Sequence, residues 1–444
     1  MITAPICEFV RRYRYSGALR MHMPGHKGTA LLGPEPLDLT EIEGADVLYH
    51  AEGIIRESEA NAAALFGTKK TVYSAEGSSL CIRAMLYLAL LHARANHKKP
   101  VIAAGRNAHK VFMTAAALLD LDIRWIYGTE SVISCAITPA QLEDVIVSEN
   151  PAAVYITSPD YLGNIADIKS LSTVCKKHGV LLLVDNAHGA YLHFLPEPMH
   201  PMQLGADICC DSAHKTLPVL TGGAYLHIAH GTPDMFAQHA ESAMALFAST
   251  SPSYLILQSL DAMNPLLATS FPAQLKACAE RLDTLKAKLR AHGYALCGEE
   301  RTKLCLLPKS FGYTGTALAE ILTHHNIYCE FSDADHLVMM FTPETAPADF
   351  ARLKRALLSV LPAPAILSKP PVPPHAERVL SPREALFSPS ETLPLSECEN
   401  RILADANVSC PPAVPLAVCG ERLTPEVISA MEYYGTEHCT VVVE

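Results

Sequence analysis

The sequence lacks an apolar run long enough to cross a bilayer. Its most hydrophobic helical stretch, Leu80 to Ala93, is interrupted by Arg83 and falls short of the roughly 20 residues a spanning helix needs. A core helix is expected there, and no membrane partner. The opening MITAPICEFVRRYRYSG reaches Glu8 and Arg11 without an apolar segment behind a basic start, so no secretory-signal pattern is present. No C-x-x-C pair occurs, and the 14 cysteines are scattered from Cys7 to Cys439. That spacing speaks against a zinc ribbon or a dense disulfide scaffold and fits reduced thiols in a cytoplasm. Nor do His188 with His193, or His324 with His325, bring the accompanying Cys/His framework of a metal site, so no metal is expected. Positive charge is short as well, with 35 basic against 46 acidic side chains for a formal charge of −11. Such a surface repels phosphate backbones, and nucleic acid is not an expected partner.

What is present is the material of a folded core: 49% hydrophobic and 18% charged residues in a chain of 444, far from the composition of disordered proteins. Short apolar runs at Val101–Ala104, Ala153–Thr157, Val180–Val184 and Ile208–Cys210 alternate with longer helical patterns. This alternation predicts an α/β fold with a mostly parallel sheet covered by helices. Ligands in such sheets bind beyond the carboxyl ends of strands, so Arg106–His109, Ser158–Tyr161, Asp185–His188 and Asp211–Lys215 are the segments of interest. A charged helix over Gln274–His292 and strands near Leu304–Leu307 and Leu337–Phe341 predict a smaller α+β unit. The expected division is an N-terminal segment 1–60, a large α/β domain 61–270, a small α+β domain 271–361, a proline-rich linker 362–376 and a C-terminal domain 377–444.

The sharpest chemical signal is Asp211-Ser212-Ala213-His214-Lys215-Thr216-Leu217, which follows a buried-strand pattern and precedes Gly222-Gly223. An apolar pocket disfavours the charged form of a lysine and frees its amine for imine formation, which makes Lys215 a candidate Schiff-base lysine. Thirty residues earlier the run VLLLV delivers Asp185, followed by Asn186-Ala187-His188-Gly189. A carboxylate at that strand end could hold the ring nitrogen of pyridoxal 5'-phosphate (PLP) protonated; the plainer reading of a strand-end Asp is a helix N-cap. Ser74-Ala75-Glu76-Gly77-Ser78-Ser79 stands directly before the Leu80 helix, where hydroxyls and free helix amides suit a phosphate. Glu76 is an awkward charge in that place. Finally, His109 follows a strand and could lie flat on a heteroaromatic ring, although a lone histidine is more often a satisfied structural one.

Together these residues resemble the Orn/Lys/Arg decarboxylase family of fold-type I PLP enzymes, in its short form without an extra N-terminal receiver-like domain. Met23-Pro24-Gly25-His26-Lys27-Gly28 is similar to the family's PGHKG signature. Ser58-Glu59 to Phe66-Gly67 resembles the helix before its phosphate loop, and Ser158-Pro159-Asp160-Tyr161-Leu162-Gly163 its S/T-P-x-Y-x-G turn. Thr250-Ser251-Pro252-Ser253-Tyr254 with Ser259-Leu260-Asp261 matches TSPSY…SLD. Arg301-Thr302-Lys303-Leu304, Gly312, Gly315 and Glu330 echo the small domain, while Pro411-Pro412, Pro415 and Gly420-Glu421 echo a C-terminal PPGIP…PGE pattern. The chain departs from the family with Glu76 in place of Asn, Cys410-Pro411-Pro412-Ala413 in place of Tyr-Pro-Pro-Gly, and Cys419-Gly420-Glu421 in place of Pro-Gly-Glu.

The resemblance implies PLP-dependent decarboxylation of a basic amino acid, arginine, lysine or ornithine. It makes Lys215 the lysine that carries the cofactor, Asp185 the pyridinium partner and His109 the stacking residue. Gly77, Ser78, Ser79 and Ser212 become phosphate ligands, His214 an aid to proton transfer and His188 a flank of the ring. A distal ammonium or guanidinium calls for an acidic group, for which Glu330, Asp160 and Glu421 are the candidates. The resemblance also implies a homodimer or a higher homo-oligomer. An aminotransferase or lyase on the same fold, or a silent binding or regulatory protein, are the alternatives.

Overall fold

The computed structural model describes residues 2–128, 136–371, 375–410 and 414–443. The matched Pro411, Pro412 and the departing Ala413 lie outside the described residues, as do Pro373 and Pro374 of the proline-rich stretch. The chain forms two compact units, each assembled from two separate segments: Met1–His97 with Ile168–Gln274, and Lys98–Asp167 with Leu275–Glu444.

In the first unit, strands β1 (Lys70–Ser74), β5 (Leu181–Asp185), β6 (Ile208–Asp211) and β7 (Ala224–Ile228) lie side by side in the order β1-β7-β6-β5. β5 and β6 are parallel, with Asp185 opposite Cys210. β7 runs antiparallel to both β6 and β1. The strands read as continuous apolar runs because they are buried on both faces. The helix Gly77–Ala95 sinks Leu80, Cys81, Met85 and Leu88 into this core, and each such side chain contributes roughly 1.5–3 kcal/mol when fully buried. Arg83, the interruption noted above, is only half-buried, and the rest of the stretch forms the core helix the sequence predicts. No helix among the described residues is long and apolar enough to cross a membrane.

In the second unit, β2 (Val101–Gly105), β3 (Asp122–Ile126) and β4 (Ala153–Thr157) form a parallel group in the order β4-β2-β3. A second, antiparallel sheet takes the order β10-β11-β9-β8, from β8 (Ala295–Cys297), β9 (Lys303–Leu307), β10 (Phe331–Ser332) and β11 (Leu337–Met340). Alternation decides its two faces. Leu304, Leu306, Leu337 and Met339 pack with Leu282, Leu285 and Leu289 of the helix Phe271–His292. Cys305 and Val338 point the other way, into a cluster with Leu403, Leu416, Leu423 and Val427 of the C-terminal part. That helix starts at Phe271, earlier than the expected Gln274, since Pro272 is tolerated in a first turn where its missing amide has no helical partner. Residues 362–371 form neither helix nor strand; two of their amides, Ala363 and Ile366, donate to the Phe311 and Lys309 carbonyls.

One buried acid belongs to the scaffold. Glu59, on the helix Ile54–Phe66, accepts from the Tyr73 amide at 2.8 Å, and burial pushes its pKa from 4.5 to about 8. A raised folded-state pKa means stability is fully present below about pH 4.5 and is lost as pH climbs through about 8. Each pH unit in that window costs about 1.4 kcal/mol at most. Glu59→Gln keeps the acceptor and removes the titration. Urea unfolding at about pH 5 and about pH 8 is therefore expected to show a smaller pH dependence in the variant than in the parent; equal slopes would place the titration elsewhere.

Candidate active site

The carboxyl ends of β5 and β6 carry the residues that matter in the first unit. Asp185 and Asp211 are the last residues of these strands. Asp185 is 2% exposed; its Oδ1 accepts from the Ala187 amide at 3.2 Å and the Cys210 thiol at 3.7 Å. The amide contact is the capping interaction of a turn rather than of a helix. After β6 the chain makes one short helical turn, Ala213–Thr216, which brings the Lys215 Nζ to 3.1 Å from Nε2 of buried His188. His214 Nδ1 donates to the Gly223 carbonyl at 3.0 Å. Burial, reinforced by the charge of Lys215, lowers the His214 pKa, so its imidazole is neutral at neutral pH with Nε2 as the remaining basic atom.

Ser212 Oγ donates to Ser78 Oγ at 2.7 Å, joining the loop after β6 to the first turn of the helix Gly77–Ala95. Gly77 has φ +72°, a left-handed conformation that favours glycine, and a Cβ added there would meet nothing closer than His214 Cε1 at 4.0 Å. Open space therefore lies before a helix N-terminus whose Ser78 and Ser79 amides have no intrahelical acceptor. Glu76 turns away, with its carboxylate accepting from the Ser249 amide at 2.7 Å. A phosphate fits this cradle, and the awkward charge has a partner elsewhere.

A network that the sequence reading did not single out lies behind these residues. Asp211 is completely buried. It accepts from His200 Nε2 at 2.9 Å, His227 Nε2 at 3.2 Å and Asn186 Nδ2 at 2.7 Å. Burial alone raises a carboxyl pKa, but the two imidazoles win and hold Asp211 well below the usual carboxylate range. Through Asn186 it grips the turn between Asp185 and His188. His227 in the run AYLHI was the available signal, since a histidine inside a fully buried strand requires a polar partner.

The other expected residues fall in the second unit. His109 caps the helix Lys110–Leu119, accepting from the Val111 amide through Nδ1 at 3.2 Å, and is half-buried. Asp160 is spent on its own turn, accepting from the Asn164 amide at 2.9 Å and side chain at 2.8 Å. Glu330 is exposed and accepts from the Tyr161 hydroxyl at 2.7 Å. Glu421 is 1% exposed and held by Arg106 Nη2 at 2.8 Å and by the Val418 amide at 2.9 Å. Burial still raises its pKa, against the pull of Arg106. The Arg106 guanidinium also lies over the Trp125 ring, 4.9 Å from its centroid.

Removing one partner of a buried ion pair strands the other charge. Arg106→Ala is expected to cost about 3–5 kcal/mol of stability, and Arg106→Met with Glu421→Gln substantially less. Chemical denaturation of both variants checks this, and equal losses would mean that the pair is not what the second unit depends on.

Comparison with known proteins decides the family. The Orn/Lys/Arg decarboxylase major-domain model matches residues 4–296. The chain belongs to the Orn/Lys/Arg decarboxylase family. It is 30% identical to an arginine decarboxylase of Bacillus subtilis (strain 168), over 96% of this chain and 92% of that protein. With an arginine decarboxylase of Halalkalibacterium halodurans it shares 28%, over 95% of this chain and 91% of that one. Among solved structures, the Francisella novicida lysine decarboxylase LdcF matches with a TM-score of 0.80 at 16% identity, over all of this chain and 81% of that one. This is the fold-type I architecture, with a mixed sheet. The family member is thus a PLP-dependent amino-acid decarboxylase, and the surroundings of Lys215, with the open space before the Gly77 helix and buried Asp185, suit that cofactor.

Proposed function

We propose that this family member decarboxylates arginine, with Lys215 as the amine that holds PLP. The observation that carries the reading is the meeting of Lys215, on the helical turn that follows β6, with buried His188, in the turn that follows Asp185, at 3.1 Å, beside the Ser78–Ser212 pair. When bound, PLP supplies the electron sink for the pair left by the breaking bond between Cα and the carboxylate. Asp185 is the buried anion assigned to the protonated ring nitrogen. Ser78, Ser79 and Ser212, with the backbone at Gly77, take the phosphate. His188 orients the Lys215 amine, and His214, its Nδ1 fixed on Gly223, presents Nε2 for the proton that Cα must regain. His109 is the stacking residue that the family pattern assigns.

Arginine is favoured because the full-length relatives named above are arginine decarboxylases, and a guanidinium pairs well with a carboxylate. Of the three candidate carboxylates, Glu421 is buried against Arg106, Asp160 is held by its own turn, and Glu330, which accepts from the Tyr161 hydroxyl, is the exposed one; we assign Glu330 to the distal group. We further assign a cytoplasmic setting and a homodimer or higher homo-oligomer, for which light scattering is the check.

The decisive experiment supplies PLP with arginine, lysine or ornithine separately and measures carbon dioxide and amine. Expected is stoichiometric release with arginine turned over at least about tenfold better than the others, the margin one well-placed bidentate bond can give. Preference for lysine or ornithine would overturn the substrate assignment, and a product that retains its carboxylate would point to transamination.

A further inference from the structure

Two cysteines face each other across β8 and β9. These strands run antiparallel with Cys297 directly opposite Cys305, and the two Sγ atoms are 3.1 Å apart. Directly opposed residues on antiparallel strands have Cα atoms about 4.5 or 5.5 Å apart, inside the window of roughly 4.4–6.8 Å that a disulfide requires. The bond can therefore close by side-chain rotation. We propose that Cys297 and Cys305 are an oxidation site of the second unit, a dithiol that closes reversibly to a disulfide by exchange with a low-molecular-weight disulfide such as glutathione disulfide.

Access orders the steps. Cys297 is half-buried whereas Cys305 is 1% exposed, so an incoming disulfide meets Cys297 first. The neighbouring Cys305 S–H stabilises the Cys297 thiolate and lowers its pKa, while the same contact raises that of Cys305. Cys297 Sγ attacks one sulfur of glutathione disulfide, forming a mixed disulfide and releasing one glutathione thiolate. Cys305 Sγ then attacks the Cys297 sulfur and releases the second. The two thiol protons pass to the two glutathiones, so the protein loses two protons and two electrons and glutathione disulfide gains them.

The residues between the two cysteines hold a neighbouring turn. The Glu299 and Glu300 amides both donate to the Gly163 carbonyl, at 2.8 and 2.9 Å. Gly298 approaches so closely that an added Cβ would lie 2.2 Å from the Leu162 carbonyl oxygen. Lys303 Nζ pairs with Glu300 at 2.8 Å and donates to the Asp160 carbonyl at 3.2 Å. The disulfide would thus tie off the hairpin that grips the turn carrying Asp160 and Tyr161. A reduced pair that only fills the apolar cluster around Leu162 and Phe331 would leave this segment as it is.

The test uses the folded protein, glutathione disulfide as probe, alkylation of the remaining thiols, and peptide mapping by mass spectrometry. Expected is a Cys297–Cys305 cross-linked peptide lighter by two hydrogens, a melting temperature raised by roughly 3 °C, and reversal of both by dithiothreitol. Cys305→Ser, or Cys305→Ala if the serine is poorly tolerated, should stop at the mixed disulfide on Cys297. A mixed disulfide that persists in the parent protein, recovery of both thiols unmodified, or a cross-link mapped instead to buried Cys398 or Cys439 would each overturn the proposal. None of these readouts depends on decarboxylation, so the proposal stands or falls apart from the assigned activity.

Discussion

Lys215→Ala is expected to lower kcat/KM for decarboxylation by more than about 1,000-fold, the scale on which losing a positioned nucleophile and proton donor acts. Lys215 sits on a single helical turn and is half-buried rather than part of the packed core, so the loss should fall on chemistry more than on folding. Two readouts separate these. Thermal melting should shift by no more than a few degrees, the range of a substitution away from the packed core. Dialysis should strip PLP from the variant faster than from the parent, because the covalent tether is gone. Lys215→Arg should be equally inactive, since a guanidinium stays protonated and cannot act as the amine nucleophile. An active Lys215→Arg protein would remove Lys215 from its assigned role.

The second large effect lies behind the site. Asp211→Ala is expected to destabilise the protein by about 3–5 kcal/mol, as in other buried charge networks that lose one member. The loss is large because the donors on His200, His227 and Asn186, with the Cys209 thiol, are left in a region from which water is excluded. Asp211→Asn should cost less, as its side-chain oxygen can still accept. Because Asn186 holds the turn between Asp185 and His188, Asp211→Asn should also lower kcat more than it alters KM for the amino acid. The pH dependence has a definite sign. A carboxyl held below its usual range in the fold contributes stability above about pH 4, and that stability drains away as pH falls further. Acid unfolding of Asp211→Asn should therefore be less steep than that of the parent. Identical acid limbs would show that His200 and His227 do not anchor this charge.

The strand ends at Asp185 and Asp211 were legible because parallel strands buried on both faces write themselves as apolar runs, and the first polar residue after such a run marks its carboxyl end. The helix start at Gly77-Ser78-Ser79 was legible for a similar local reason, since small and hydroxyl residues precede an apolar helical run whose first amides need an acceptor. The His200–Asp211–His227 network was not. Its members lie on β7, at the end of β6, and before the helix Pro201–Leu204, and only the antiparallel placement of β7 against β6 brings them to one atom. The role of Glu421 was hidden in the same way, because its partner Arg106 lies more than three hundred positions earlier in the chain.

The cysteines make the division plain. Their number and the absence of C-x-x-C follow from the sequence, yet nothing in a spacing of eight residues says that Cys297 and Cys305 are opposed; the register of β8 on β9 decides that. By itself the sequence determined the family, the cofactor chemistry and the local elements that present Lys215, Asp185 and the serines, since each depends on contacts within a strand, a turn or a helix end. The tertiary structure alone decided which carboxylates are already spent, which histidines carry a buried charge, and that each compact unit is built from two distant segments. Those outcomes depend on long-range pairing, where burial in a low-dielectric interior, rather than local propensity, sets the energy of every polar group.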